Sequence, residues 1–198
     1  MTTSPPRLAP HDVTFWDLVV TSGWHLHPLT DEELHYFETR FPTLRGKKAI
    51  DAGCGTGGFT RHLYAAGLDV TGVDWSPFSI ALARQATPCP LPYLVHDLSL
   101  GDPPGLIARS IDLVVCRQTA SLLRDPDELL YRIRTNWLRP GGQLYLSEVR
   151  ITDHEARTQR GGMTEQQLAR LGVGWAHATR HDLTSQRAAC VILRSPAS

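Results

Sequence analysis

Apolar and polar positions fall into a repeating series of strand-length and helix-length segments. Residues 47–52, 68–73, 93–95, 111–116 and 143–149 are short, nearly continuous apolar runs, the signature of strands covered on both faces. Helical patterns fill the gaps between them. Phe59, Leu63 and Ala66 mark one face of a helix that Gly67 closes. Ser76-Pro77 supplies a cap and a first-turn proline for a helix running to about Ala86. Asp125 with Glu128 spells a capping box, Leu129, Ile133 and Leu138 lie near one face, and Pro140-Gly141-Gly142 stops that helix. Thr164 with Gln167 opens a short helix to Leu171. Residues 175–183 and 188–193 read as two strands joined by Thr184-Ser185-Gln186, a terminal hairpin.

Two further segments precede this alternation. Residues 13–20 are amphipathic and predict a short helix, broken by the stretch from Gly23 to Pro28. Thr30 with Glu33 then spells another capping box, followed by an apolar stripe of Leu34, Phe37 and Phe41. Residues 1–12 are polar and proline-rich and predict a disordered tail. Strands alternating with helices predict an α/β fold with a mostly parallel sheet, to which the hairpin adds an antiparallel strand. The expected organisation is a single domain over 13–198, with 13–45 as an N-terminal helical lid and 46–198 as the core.

Composition narrows the function classes. Twenty basic residues balance twenty acidic ones, so the chain as a whole carries no electrostatic footprint for nucleic acid. The four cysteines, Cys54, Cys89, Cys116 and Cys190, form no close pair, which fits reduced thiols in a cytoplasmic protein. Nine histidines show no metal-ligand spacing. No apolar stretch reaches the length of a membrane span, and no apolar signal-peptide core stands near Met1.

The chemistry concentrates at predicted strand ends, where open α/β sheets bind ligands. Residues 49–60 run from an apolar strand into Asp51, a glycine turn and a helix start. Such a turn lets a ligand approach the backbone, and the helix start attracts an anionic group. Two spellings compete. Gly53, Gly55 and Gly58 satisfy a dinucleotide fingerprint, whereas Asp51, Gly53, Gly55 and Gly57 spell D-x-G-x-G-x-G. Asp51 speaks against a pyrophosphate, which its carboxylate would repel. Asp74, 21 residues after Gly53, is placed to take ribose hydroxyls in either case, and Trp75 can lie against an adenine.

The D-x-G-x-G-x-G spelling resembles the first motif of class I S-adenosylmethionine methyltransferases. Asp97-Leu98, the stretch 111–118 and Leu138-Arg139-Pro140-Gly141-Gly142 resemble later motifs of that family, in the right order. The resemblance covers about residues 30–194. It implies a three-layer Rossmann-like fold with a seven-stranded sheet, S-adenosylmethionine as cofactor and S-adenosylhomocysteine as product. It also implies a cofactor site of Asp51, Gly53, Cys54, Gly55, Gly57, Asp74, Trp75, Asp97, Leu98, Cys116 and Arg117, with Asp97 at the adenine amino group and Leu98 giving a backbone N–H.

The expected reaction is methyl transfer to an O, N or C atom of a small molecule, mainly through proximity and orientation, by a monomer or homodimer that binds neither nucleic acid nor membrane. Ser121-Leu122 stands where many relatives carry a histidine pair, so no base carries over from that site. His25, His27 and Glu148 are the candidate bases, and Arg117 could hold an acidic substrate group. The link 150–163 is short where relatives often insert a cap. Asp102-Pro103-Pro104-Gly105 resembles the D/N-P-P-Y site of amino-group DNA methyltransferases but lacks the aromatic residue and the right position, and reads as a turn. Two alternatives stay open: a protein of this fold with a non-methylating role, and a nicotinamide-dependent oxidoreductase.

Overall fold

The computed structural model describes residues 13–21, 28–157 and 161–196. The five apolar runs become β1 (Lys48–Ala52), β2 (Asp69–Asp74), β3 (Tyr93–Val95), β4 (Ile111–Arg117) and β5 (Leu138–Val149). Together with β6 (His177–Asp182) and β7 (Ala188–Arg194) they form one sheet in the order β3-β2-β1-β4-β5-β7-β6. The first five strands are parallel, and β7 runs antiparallel between β5 and β6. The chain order turns back between β1 and β4, which places the ligand crevice at the carboxyl ends of those strands.

Alternate strand residues enter two separate apolar layers, as the two-residue period requires. On one face Leu113, Val115, Tyr145, Cys190 and Ile192 pack with α2 (Asp31–Arg40), α3 (Gly58–Ala65) and α4 (Pro77–Gln85). Phe37, Phe41 and Phe59 surround the Tyr145 ring there, with centroids 5.1–6.2 Å away. On the other face Val114, Cys116, Leu144, Leu146, Val191 and Leu193 meet α5 (Pro126–Arg132) and α6 (Glu165–Arg170). A further helix, α1 (Val13–Thr21), carries Asp17, which accepts a 2.5 Å hydrogen bond from the Ser76 hydroxyl ahead of α4.

The capping signals behave in two ways. Ser76 accepts from the Ser79 N–H, and Thr164 with Gln167 makes both bonds of a capping box. Thr30 accepts from the Glu33 N–H at 3.2 Å, but the Glu33 carboxylate turns inward to Arg117, 84 positions along the chain. The end of α5 also differs from the sequence reading. The helix passes into a π-turn over Ile133–Trp137, and Leu138 already belongs to β5, paired with Ile111 before a register shift. The Trp137 indole N–H donates to Asp102 at 2.6 Å, and Arg132 and Asn136 donate to the same carboxylate. The Asp102-Pro103 turn thus fixes the helix end by long-range hydrogen bonds.

Candidate cofactor and substrate cleft

One cleft of about 570 Å³ lies across the carboxyl ends of β1, β2, β3 and β4, a volume suited to a small molecule or cofactor. Its floor is the glycine turn. The Gly53 and Cys54 N–H groups donate to the Val73 carbonyl at 2.8 and 3.0 Å and tie the turn to β2. Gly53 sits at φ +78°, and a Cβ there would fall 1.9 Å from the Thr119 hydroxyl oxygen. Glycine is therefore required by both the backbone and its neighbour. Gly57 caps α3 without any side-chain bond, so the first N–H groups of that helix stay available.

The acids around the turn have different surroundings. Asp51 is fully buried and accepts from the Thr60 hydroxyl at 2.6 Å. Burial pushes its carboxyl up to about 6, against the pull of Thr60 and of Arg117. Asp74 accepts from the Gly55 N–H through one oxygen and from the Ser76 N–H through the other, both at 2.9 Å. Burial raises its pKa as well. A carboxylate offers about four lone-pair positions, so two remain for ligand hydroxyls. Asp74 holds the turn and still has capacity for a ribose. Asp97 accepts from the N–H and hydroxyl of Ser99 through one oxygen at 2.8 and 2.7 Å, which leaves its second oxygen for a ligand amino group.

Asp51, Gly53, Cys54, Gly55, Asp74, Trp75, Asp97, Leu98 and Arg117 all line this cleft. Three of the expected site residues lie off the cleft wall, and two fall outside the described residues. Gly57 is not on the wall: a Cβ there would meet the Tyr93 hydroxyl at 2.4 Å, so its role is to let α3 pack against β3. Cys116 is fully buried in the core beneath the sheet surface, and burial pushes its thiol far above the ordinary range. Glu148 is also fully buried and off the cleft wall. It accepts from the Ser121 hydroxyl at 2.7 Å and from the Ser121 N–H at 3.2 Å, while Ser121 accepts from the Gly162 N–H at 2.9 Å. Burial pushes Glu148 up to about 7, and its position makes it a clamp for the loop after β4. His25 and His27 fall outside the described residues.

Arg117 reaches the wall with its guanidinium already engaged. It donates to both oxygens of buried Glu33 at 2.9–3.0 Å and to the Pro28 carbonyl at 3.2 Å. Tyr145 and Gln186 also donate to Glu33, each at 3.3 Å. A buried carboxylate demands a charged partner, and this demand takes the guanidinium fork that a substrate acid would need. Thr119, Gln118, Phe59, Trp16, Pro28 and Leu29 are among the other residues of the wall. The sequence reading placed Trp16 and Pro28 in a lid over the site and Gln118 in the motif at the end of β4, and gave Thr119 and Phe59 no role there. Thr119 has no local signal, because only the fold brings it onto Gly53.

Residues 50–144 match the methyltransferase domain family, a segment running from β1 into β5. The motif order, that match and the sheet order together decide the family. Residues 50–144 form a methyltransferase domain of the class I S-adenosylmethionine-dependent type. The cofactor of that family is S-adenosylmethionine, and the open helix start, Asp74 and Asp97 present the donors and acceptors that such a molecule needs.

The chain is 25% identical over 157 residues to a ubiquinone biosynthesis O-methyltransferase of Proteus mirabilis, covering 70% of this chain and 60% of that one. It thus spans well under the whole length of that curated relative. The fold is similar to that of the [4+2]-cyclase SpnF, with a TM-score of 0.74 and 16% identity over 99% of this chain and 100% of that one. It also resembles the N-methyltransferase NodS of Bradyrhizobium japonicum in complex with S-adenosylhomocysteine, with a TM-score of 0.63 and 18% identity over 84% of this chain and 89% of that one. No helix among the described residues is long and apolar enough to cross a membrane.

Proposed function

We propose that this methyltransferase moves a methyl group from S-adenosylmethionine to an oxygen atom of a small molecule. The observation that carries the reading is the order of groups along the cleft: Asp97 after β3, Asp74 at the end of β2, the glycine turn after β1, and residues 117–119 at the end of β4. This order suits an adenine, a ribose and an amino-acid tail laid across successive strands. The oxygen acceptor rests on the named activity of the Proteus relative.

Bound cofactor supplies a methyl group on a positively charged sulfur. The chain contributes position. Asp74 orients the ribose, Asp97 and Leu98 bind the adenine edge, Trp75 covers its face, and the N–H groups at the start of α3 receive the carboxylate of the amino-acid end. Phe59, Leu122 and Leu123 give the acceptor an apolar wall. When a hydroxyl is the acceptor its proton must leave. His25 and His27 stand in the stretch between Thr21 and Pro28, whose flanks, Val20 and Pro28, both line the cleft, and they are the candidate bases. Residues 13–28 are proposed as the lid, with Trp16 and Val20 on its cleft side.

Purified protein, methyl-labelled S-adenosylmethionine and a small-molecule cell extract test the reading. Label recovered as a methoxy group of the product supports it. Binding of S-adenosylhomocysteine without any labelled product points to a non-methylating role, and no binding contradicts the cofactor site.

A further inference from the structure

We infer that Asp17 is the latch of the lid: its carboxylate, bonded to the Ser76 hydroxyl, fixes α1 over the cleft and ties it to Asp74, the acid read above as the ribose ligand. The inference rests on the cofactor reading of the cleft. α1 has a reversed pattern. Asp17 is the one charged residue of Val13–Thr21. A surface helix ordinarily turns its charge to water and its apolar side chains inward. Here Leu18 is 54% exposed, while Asp17 accepts a 2.5 Å hydrogen bond from Ser76, which is fully buried. A hydroxyl that close to a carboxylate makes a strong, charge-assisted bond.

Ser76 joins this contact to the site. Its hydroxyl oxygen accepts from the Ser79 N–H at 3.0 Å, and its hydroxyl proton goes to Asp17. Its own N–H donates to one oxygen of Asp74, whose other oxygen accepts from the Gly55 N–H, both at 2.9 Å. One row of hydrogen bonds therefore runs from α1 through Ser76 and Asp74 to the glycine turn. The charges meet across the same gap: burial raises the Asp74 pKa, and the Asp17 charge adds to the rise.

Helical spacing carries the effect to the cleft. Trp16 and Val20 are four residues apart, share one face of α1 and line the cleft. Asp17 follows Trp16, about 100° around the helix axis. Apolar contact is non-directional and leaves the rotation of a short helix open. The bond from Ser76 to Asp17 sets that rotation, and with it the direction of Trp16 and Val20. Asp17 is not itself on the cleft wall, so it acts through α1 as a positioning residue.

The test uses the full chain and S-adenosylhomocysteine. Wild type, Asp17→Ala and Asp17→Asn are compared by thermal unfolding and by stopped-flow rates of binding and release. Asp17→Ala should melt within a few degrees of wild type, because no described side chain of α1 belongs to either apolar layer of the core. It should release the ligand about tenfold or more faster, the scale of a hydrogen bond to a charged group, with no slower binding. Asp17→Asn keeps an acceptor oxygen for the Ser76 hydroxyl and should release within about threefold of wild type. Unchanged release in Asp17→Ala would overturn the latch. Equal acceleration in both variants would make Asp17 a charge acting on the ligand, and unfolding of Asp17→Ala would make α1 part of the body of the fold; either result overturns the inference. Wild-type protein that binds no S-adenosylhomocysteine would overturn the cofactor reading and the latch with it.

Discussion

Single residues here are held by more than one demand, and that sharpens what their substitution should do. Gly53 combines φ +78° with the Thr119 hydroxyl at the place of any Cβ. Gly53→Ala should destabilise the protein by about 1–3 kcal/mol and weaken S-adenosylhomocysteine binding about tenfold or more, measured by urea unfolding and calorimetry. Asp74 ties two backbone N–H groups besides facing the cleft. Asp74→Asn keeps an acceptor oxygen and should weaken S-adenosylhomocysteine by roughly 1.5–3 kcal/mol in a folded protein, whereas Asp74→Ala should also lower the melting temperature. Equal affinity in folded Asp74→Asn would take the residue out of the ribose site.

Glu148 allows a prediction of sign. Its pKa rises from 4.5 unfolded to about 7 folded, so the folded state holds the proton more tightly. The associated stability is present below pH 4.5 and is lost as pH rises to about 7. The loss is on the order of 3 kcal/mol. Buried Asp51, raised from 3.8 to about 6, acts in the same direction over a lower window. Denaturant unfolding of wild type should therefore show declining stability across this range, and Glu148→Gln should flatten the upper part. A variant curve parallel to wild type up to pH 7 would contradict the assignment.

At the scale of elements, the N-terminal helices do different work. α2 is part of the body of the fold: Phe37 is buried, Glu33 anchors Arg117, and Glu32 accepts from the Thr184 and Ser185 N–H groups of the β6–β7 turn. Glu33→Gln should cost about 3–5 kcal/mol of stability, since Arg117 would lose its charged partner. α1 touches the body through Asp17 and Ser76 and lends Trp16 and Val20 to the cleft. A chain starting at Leu29 keeps the Thr30 cap and should remain folded by circular dichroism, while S-adenosylhomocysteine affinity and methyl transfer both fall. Global unfolding would make α1 structural, and full activity would remove the lid.

For the whole molecule, legibility followed the range of the interactions. The parallel strands were readable because β1 and β4 at the centre are buried on both faces and therefore nearly continuously apolar, and Ser76 and Thr164 announced their helices through bonds three residues long. The end of α5 was not readable. Leu138 fits a helix stripe and a strand equally, and what stops the helix is Trp137 donating to Asp102, 35 positions earlier. The same holds at the cleft. Asp51, Asp74 and Asp97 could be found from motif spacing, but Arg117 was offered to substrate because nothing near it in sequence reveals Glu33. Glu148 was offered as a base because its bonds to Ser121 span 27 positions.

The most direct test of the account is a crystal structure of the protein with S-adenosylhomocysteine. The ribose hydroxyls should lie within hydrogen-bond distance of the Asp74 carboxylate, the adenine amino group beside Asp97, and the sulfur should face the space bounded by Gln118 and Phe59. A ligand bound outside this cleft, or bound in it with its ribose away from Asp74, would contradict the account.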